Sequence, residues 1–122
     1  MSEQRFKAAQ VKPAISIEEL EKIDIRVGTI LEVEDLPGST KLLKLTVDFG
    51  NQRRTILAGM KQEREDPKEV EGRQALFVVN LKAKQMFGAV SEGMLLDIGH
   101  ADGLAPVLAI PEKQVPNGAR AG

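Results

Sequence analysis

The chain has 122 residues, which favours a single domain, and its 17 Lys and Arg against 18 Asp and Glu give a formal net charge of −1. It has no Cys and one His, which excludes disulfides, Cys-based zinc sites, thiol catalysis and multi-His metal sites. Taken alone, this charge and an aromatic content of 3% argue against a nucleic-acid partner, because domains that bind nucleic acids are usually basic.

The first predicted element is a short helix that follows a charged N-terminal arm. Residues 1–14 show little apolar periodicity, which is typical of a mobile arm. Ser16 is a favourable helix N-cap, Glu19 lies where a capping box needs it, and Ile15 is placed to pack on Leu20 as a hydrophobic staple. We therefore expect residues 15–122 to form the domain.

Three strands are predicted next, the second and third joined as a β-hairpin. Apolar and polar residues alternate in residues 23–33, which predicts a half-buried strand, and Gly28 interrupts the alternation and predicts a bulge. Residues 43–49 alternate without a break. The turn at residues 50–52 leads into a third strand at residues 53–58.

The second half of the chain predicts one short helix and three further strands. Residues 66–69 (DPKE) carry the signature of a capped helix start, and Gly72 is a stop signal. Strands are expected at residues 74–81, 93–98 and 107–110, the last of them short or at a sheet edge because prolines bound it. This order predicts an all-β fold with a small helix, namely a five-stranded OB-fold barrel with N-terminal and C-terminal extensions.

Positive charge concentrates in two parts of the chain. Residues 74–91 contain Lys82 and Lys84 and no acidic residue. Residues 41–54 contain one acid, Asp48, against the cations Lys41, Lys44, Arg53 and Arg54. Strands two and three of an OB-fold and the loops beside them form its usual binding face, so this distribution reopens the nucleic-acid hypothesis. Lys and Arg also occupy ordinary solvated strand faces, and this alternative stays open.

Residues 80–94 (NLKAKQMFGAVSEGM) are the most informative stretch, because two lysines, an amide, a glycine and a serine suit contacts with phosphates and splayed bases. With other short motifs, this stretch makes the sequence similar to a tRNA-binding domain family. That family includes the C-terminal module of bacterial methionyl-tRNA synthetase, structure-specific tRNA-binding proteins and the CsaA-type secretion chaperone. The matching motifs are DIRVG at 24–28, KLL at 41–43, VNLK at 79–82, KQM at 84–86, Gly88, Ser91, GM at 93–94 and VPNG at 115–118.

The resemblance implies an OB-fold that binds tRNA by shape and forms a homodimer with the help of its C-terminal region. It implies RNA contacts at Asn80, Lys82, Lys84, Ser91 and Met94. The basic residues of the first three strands and of the loop before the second complete the predicted contact set, namely Arg26, Lys41, Lys44, Arg53 and Arg54. Many family members carry basic residues where this chain has Gln85 and Phe87, so we expect modest, salt-sensitive binding.

Phe87 and Met86 have more than one interpretation. Phe87 is a candidate to stack on a base, and the alternative is a core or dimer contact. Both residues are also candidate contacts for an unfolded peptide, because Met adapts to many shapes. The alternative functions are therefore a peptide-binding secretion chaperone acting on unfolded preproteins, or an accessory subunit that delivers tRNA to an aminoacyl-tRNA synthetase. Phe49 and Phe77 are expected in the core, and Met94 also fits a dimer seam.

No motif indicates catalysis, a metal or a cofactor. Asp97, His100 and Asp102 lie close in the sequence, but Asp and Gly are expected there for a turn alone. Gly-rich phosphate loops and nucleophile elbows are absent from the sequence. No apolar run reaches the roughly 18 residues of a membrane span and no signal-peptide pattern opens the chain. The sequence therefore predicts a non-enzymatic, cytoplasmic protein with no membrane contact.

Overall fold

A single helical turn opens the domain in the computed structural model, which describes residues 6–122. The helix α1 spans Ile17–Leu20 and is capped as predicted, because Ser16 Oγ accepts a hydrogen bond of 3.1 Å from the Glu19 backbone N–H. The reciprocal bond of a capping box is replaced by a 3.4 Å bond from Ser16 Oγ to the Glu19 carboxylate. A turn this short has no buried residue.

The segment before α1 adds little to the packing. Ile15 and Leu20 both remain largely exposed, and the staple between them stays a prediction. Residues 6–14 of the predicted arm are exposed and have no regular secondary structure, and residues 1–5 lie outside the described residues.

The architecture is a curled antiparallel sheet with two small satellite sheets. The strands are β1 Ile25–Asp35, β2 Leu43–Asp48, β3 Arg53–Ala58, β4 Gln74–Val78, β5 Lys84–Met86, β6 Ala89–Ser91, β7 Met94–Leu95, β8 Asp97–Ile98, β9 Val107–Leu108 and β10 Arg120–Ala121. The main sheet has the order β3-β2-β1-β4-β7, and β10 also pairs with β1 in it. The satellites are the pairs β5–β6 and β8–β9.

The long strand β1 bends so that it belongs to both halves of the curled sheet. Its first part pairs with β4 and its second part with β2. The register shifts between Ile30 and Glu32, so β1 contains the predicted bulge, but it lies a few residues after Gly28. Gly28 is needed for a different reason, since a Cβ there would lie 2.5 Å from Val47 Cγ1 and 2.8 Å from Phe49 Cε1. Only a glycine at this position leaves room for the Val47 and Phe49 side chains to pack against β1.

The core fills the inside of this curl. Phe49 and Phe77 are buried as predicted, and their rings meet edge to face with centroids 5.4 Å apart. The buried cluster around them consists of Ile30, Val33, Leu43, Leu45, Val47, Ile56, Ala58, Met60, Val70 and Ala75. The six-stranded main sheet and its buried interior confirm the predicted all-β class with a small helix and a barrel-like fold.

A 3₁₀ helix at Pro67–Val70 lies between the third and fourth strands, where a helix was predicted. Its cap differs from the expected capping box, because Asp66 Oδ1 accepts from the Lys68 N–H at 3.1 Å and the Glu69 carboxylate binds Arg64 instead. Val70 is fully buried and belongs to the core cluster. No helix among residues 6–122 is long and apolar enough to cross a membrane.

The edge strand β3 is held against the end of β6 by three hydrogen bonds. The Leu57 N–H donates to Ser91 Oγ at 3.0 Å, the Glu92 N–H donates to the Thr55 carbonyl at 2.8 Å, and the Thr55 N–H donates to the Glu92 carboxylate at 3.0 Å. A Cβ on Gly93 would lie 2.7 Å from the Val78 carbonyl oxygen, so only glycine can occupy position 93 without a backbone shift. These contacts close the barrel on this side.

Several predicted strands have different bounds in the structure. The first spans Ile25–Asp35 rather than residues 23–33, the second ends at Asp48 rather than at residue 49, and the last ends at Leu108 rather than at residue 110. The fourth ends at Val78 rather than at residue 81, although the Val79 N–H still donates to the Asp24 carbonyl, and the chain bends at Leu81. The predicted strand at residues 93–98 is split, since β7 pairs with β4 whereas β8 pairs with β9. The hairpin β5–β6 was not predicted at all.

The C-terminal tail is fastened to the barrel. The Gly118 N–H donates to the Val27 carbonyl at 2.8 Å, and β10 pairs with the start of β1. Asn117 Oδ1 accepts hydrogen bonds of 2.9 Å from both Thr29 Oγ1 and Gln74 Nε2. The VPNG motif is thus an anchor that fixes the tail on this chain's own sheet.

Candidate nucleic-acid interface

One end of the barrel brings together three of the predicted contact residues. Arg26, Arg54 and Asn80 line a depression of about 270 Å³. Arg26 reaches this end from β1, Arg54 from the start of β3, and Asn80 from the segment after β4. Arg26 and Asn80 are far apart in the sequence, and the pairing of β1 with β4 brings them together.

Electrostatics within this depression are set by Asp24. The Arg26 guanidinium donates to both Asp24 oxygens, at 2.9 and 3.1 Å. This hydrogen bonding lowers the pKa of the Asp24 carboxyl, with smaller contributions from the charges of Arg120 and Arg54. The charge of Arg26 is therefore compensated by the Asp24 carboxylate. Arg54 instead donates to the Val79 and Glu92 carbonyls, at 2.6 and 3.2 Å, and has no carboxylate partner within residues 6–122.

Arg120 is a functional candidate that the sequence analysis missed. It is the register partner of Arg26 in the β10–β1 pair and is exposed. The turn motif before it was noted, but the two-residue strand has no periodicity that could predict its pairing with β1. The third arginine thus comes from the opposite end of the chain.

Lys44 and Arg53 lie on the outer face of the β2–β3 hairpin. On β2, Lys44 alternates with buried Leu43 and Leu45, which places it outside the barrel. Both have an acidic neighbour in register, since Lys44 lies opposite Glu34 and Arg53 opposite Asp48. Neither cation forms a salt bridge within residues 6–122.

The lysines of the 80–94 segment are exposed beside this face. Lys82 lies in the connection after β4, and Lys84 opens β5 as the register partner of Ser91. In the part of the chain that the structure describes, neither lysine has a carboxylate within salt-bridge distance. Both ammonium groups are available to an external anion.

Two of the uncharged predicted contact residues, Ser91 and Asn80, also have internal hydrogen bonds. Ser91 is buried, and its hydroxyl accepts from the Leu57 N–H and donates to the Gly93 carbonyl, both at 3.0 Å. Asn80 is exposed, but its side chain donates to the Lys22 carbonyl at 2.6 Å and accepts from the Asp24 N–H at 2.9 Å. These bonds give both side chains a structural task, and direct RNA contact by either one stays a prediction.

The remaining predicted residues lie on two other surfaces. Phe87 and Lys41 line a cleft of about 560 Å³ beside the loop between β1 and β2. Met94 is 46% exposed and lines a separate groove of about 210 Å³ with Val107 and Leu108. Met86 is half-buried in β5 and lines neither of these depressions.

The acidic residues around the single His serve a turn. Asp97 Oδ1 accepts a 3.2 Å hydrogen bond from the His100 backbone N–H, at the start of a 3₁₀ helix spanning His100–Asp102. His100 Nδ1 lies 3.7 Å from a Glu63 carboxylate oxygen. No group of three or more His, Cys, Asp or Glu side chains in residues 6–122 is placed to hold a metal ion.

The barrel and the basic residues on its surface define a class of RNA-binding OB-like domains, and sequence comparison identifies the family. The profile of the family described as "putative tRNA binding domain" matches residues 25–120, and the chain belongs to that family. This confirms the resemblance found in the motifs.

Two relatives found by sequence are methionine–tRNA ligases. A methionine–tRNA ligase of Phocaeicola vulgatus is 44% identical over 112 residues, which are 91% of this chain and 16% of that protein. One from Archaeoglobus fulgidus is 39% identical over 122 residues, which are 18% of that protein. The chain thus spans only about a sixth of the length of these relatives.

Solved structures of similar size match over nearly the whole fold. A protein of Pyrococcus horikoshii described as related to methionyl-tRNA synthetase superposes with a TM-score of 0.83 at 36% identity, covering 91% of this chain and 100% of that one. The chaperone CsaA of Bacillus anthracis gives 0.76 at 28% identity, covering 90% and 100%.

Proposed function

We propose that this chain is a non-catalytic, cytoplasmic tRNA-binding domain that holds folded tRNA through phosphate contacts. The observation that carries the proposal is a group of cations without carboxylate partners in the two basic segments. Of the basic residues predicted to bind RNA, all but Arg26 lack a salt bridge within residues 6–122. Unpaired surface cations can neutralise phosphates and release counterions, which is the main source of such affinity.

The hydrogen-bond and register pattern supports one continuous surface. Lys44 is the register partner of Leu57 across β2–β3, and Lys84 is the register partner of Ser91 across β5–β6. Because Ser91 Oγ joins the Leu57 N–H, the two lysines flank the junction at which the hairpin lies against β3. The two basic segments of the sequence therefore meet on one side of the barrel.

The test is a salt-titrated binding measurement with a labelled tRNA transcript. Each phosphate contact adds about one to the slope of log affinity against log salt, so Lys82→Ala with Lys84→Ala should flatten the slope by about two. The matched control is Lys113→Ala, which removes an exposed lysine beside Arg73 and Gln74, at the opposite end of β4 from Lys82. Absence of tRNA binding, or a slope that the double variant leaves unchanged, would contradict the proposal.

A peptide-binding chaperone is the second candidate, and the groove beside Met94 favours it. Ile98 and Val107 are register partners and are 58% and 53% exposed, next to the groove that Met94 and Val107 line. An apolar surface of this kind suits an unfolded preprotein or a second copy of the chain in the proposed homodimer. Suppression of client aggregation that Met94→Ser abolishes, in a protein that stays monomeric, would favour the chaperone.

A third candidate is an accessory role beside an aminoacyl-tRNA synthetase, and the match to one end of methionine–tRNA ligases motivates it. Such a domain would supply tRNA affinity to a partner that performs the chemistry. Co-purification of a synthetase with this chain from native lysate, at a stoichiometry that RNase treatment leaves unchanged, would support this role.

A further inference from the structure

A cleft beside the tip of the β5–β6 hairpin has an aromatic wall and polar surroundings. Its volume is about 560 Å³. Phe87 supplies the aromatic wall, and the ring lies so near the opposite loop that a Cβ on Gly38 would be 3.3 Å from Phe87 Cδ1. The polar residues that line the cleft are Ser39, Thr40, Lys41, Gln62, Glu63 and His100.

Phe87 occupies a backbone position that disfavours it. Met86 pairs with Ala89, so Phe87 and Gly88 form a two-residue hairpin turn, and their φ angles of 50° and 78° are those of a type I′ turn. Asn or Gly is strongly preferred at the first position of such a turn, and a bulky residue with positive φ is an outlier. Phe87 is the only non-glycine residue with positive φ in residues 6–122.

Burial does not compensate for this strain. The Phe87 side chain is 55% exposed, so packing within the chain stabilises it only in part. Strained residues that persist at the surface cluster at ligand sites, where the strain fixes a side chain for binding. The turn presents a large apolar ring to solvent at the edge of a cleft, which points to a ligand with a flat face.

The opposite wall of the cleft is held firmly. Lys61 Nζ donates to the Ser39 carbonyl at 2.7 Å and forms an ion pair with Asp35. Ser39 Oγ accepts from the Lys41 and Leu42 backbone N–H groups at 3.3 and 2.9 Å. A wall braced in this way loses little conformational freedom when a ligand enters.

We propose that this cleft binds one unstacked nucleobase of the RNA, with the base stacked on the Phe87 ring and an adjoining phosphate near Lys41. The proposal rests on the proposed function and names the part of the RNA that the site takes. Splayed bases are recognised by aromatic faces together with side-chain donors and acceptors at their edges. Gln62 and Glu63 supply both kinds of group among the lining residues, and Lys41 has no salt bridge within residues 6–122.

The chain offers a direct readout because it contains no Trp and no Tyr. Phe87→Trp places a single tryptophan at the proposed stacking position. We expect tRNA and a single-stranded oligonucleotide to quench its fluorescence, and fully duplex RNA to bind without quenching. Fluorescence anisotropy of labelled tRNA is recorded in the same titration, so that binding and stacking are measured separately.

The outcomes distinguish failure of the proposed base site from failure of the proposed tRNA binding. Binding of tRNA without quenching overturns the base site and leaves the proposed function intact. If neither wild type nor Phe87→Trp binds tRNA by anisotropy, the proposed function fails. A blue shift with an unfolded polypeptide and no response to any RNA identifies a peptide site and overturns the inference.

A second variant, Phe87→Asn, removes the ring while favouring the turn. Base stacking on an aromatic side chain is worth about 1–3 kcal/mol, so we expect tRNA affinity to fall roughly 5- to 150-fold with an unchanged salt slope. Thermal stability should not fall, because Asn suits this turn position. The control is Val90→Asn, an exposed apolar residue of the same hairpin that does not line the cleft and should leave affinity unchanged. Equal affinity of Phe87→Asn and wild type would overturn the proposal.

Discussion

The Ser91 hydroxyl accepts a hydrogen bond from the Leu57 backbone N–H at 3.0 Å and so joins the β5–β6 hairpin to the edge of β3. The N–H group of an edge strand is otherwise left without a ladder partner, and here a buried side chain supplies one. Because Lys84 pairs with Ser91 and Lys44 with Leu57, this bond and the two bonds between Thr55 and Glu92 hold the two basic segments side by side.

Ser91→Ala should therefore destabilise the protein rather than remove an RNA contact. The Leu57 N–H would be left buried without an acceptor, which costs about 1–3 kcal/mol of unfolding free energy. Urea denaturation measures this loss, and the slope of tRNA affinity against salt should stay unchanged. Weaker binding by a variant of wild-type stability would show that Ser91 contacts RNA directly, as the sequence predicts.

Gly28→Ala should destabilise the barrel, because the bent strand β1 packs closely against the Val47 and Phe49 side chains at this position. The new methyl group would lie 2.5 Å from Val47 Cγ1, and overpacking of this kind costs about 1–3 kcal/mol. Gly59→Ala is the matched control, since its Cβ would meet only Leu42 Cδ2, at 4.0 Å, and its φ is not positive. Equal denaturation midpoints for the two variants would show that β1 relaxes around residue 28.

The sequence predicted the architecture well wherever a local pattern encodes it. The alternation in β2 predicts the buried Leu43, Leu45 and Val47, and the signals around Pro67 predict a helix between the third and fourth strands. Motif matches predicted the family, which the profile confirms. Each of these features depends on residues that are close together in the chain.

The site was harder to predict because its geometry depends on distant pairing. Nothing local to Arg26 and Arg120 indicates that β10 places them side by side, and nothing in Ser91 shows that its hydroxyl is used by Leu57. The β5–β6 hairpin was missed since Phe87 occupies the position where a turn of this type normally has Asn. Rules based on turn preferences therefore do not detect this turn, because Phe87 is not a residue they associate with it.

Glu71 should make the stability of the fold depend on pH. Its carboxylate accepts a 2.8 Å hydrogen bond from the Val33 backbone N–H, which lowers the pKa of Glu71, and Lys68 lowers it further. A carboxyl whose pKa is lower in the folded state stabilises the fold above its unfolded pKa, near 4.5, and this stabilisation disappears as pH falls through the folded pKa. Glu71→Gln should therefore be less stable than wild type at neutral pH, and the two stabilities should converge in acid. Glu65→Gln, an exposed acid, is the control, and parallel curves for wild type and Glu71→Gln would contradict the assignment.

Asp24→Asn should increase affinity for tRNA. Asp24 binds Arg26 through two hydrogen bonds, and its pKa is lowered by Arg26, Arg120 and Arg54, so at neutral pH it is an anion among three arginines. The amide removes this charge and releases Arg26 to pair with a phosphate, which should steepen the salt dependence by about one. The Asp24 backbone N–H still donates to Asn80 Oδ1, so the strand end keeps its anchor. Arg26→Ala in the Asp24→Asn background should return the slope to the wild-type value. Unchanged affinity in Asp24→Asn, with the fold intact by circular dichroism, would place the RNA away from this end of the barrel and confine the interface to the hairpin side.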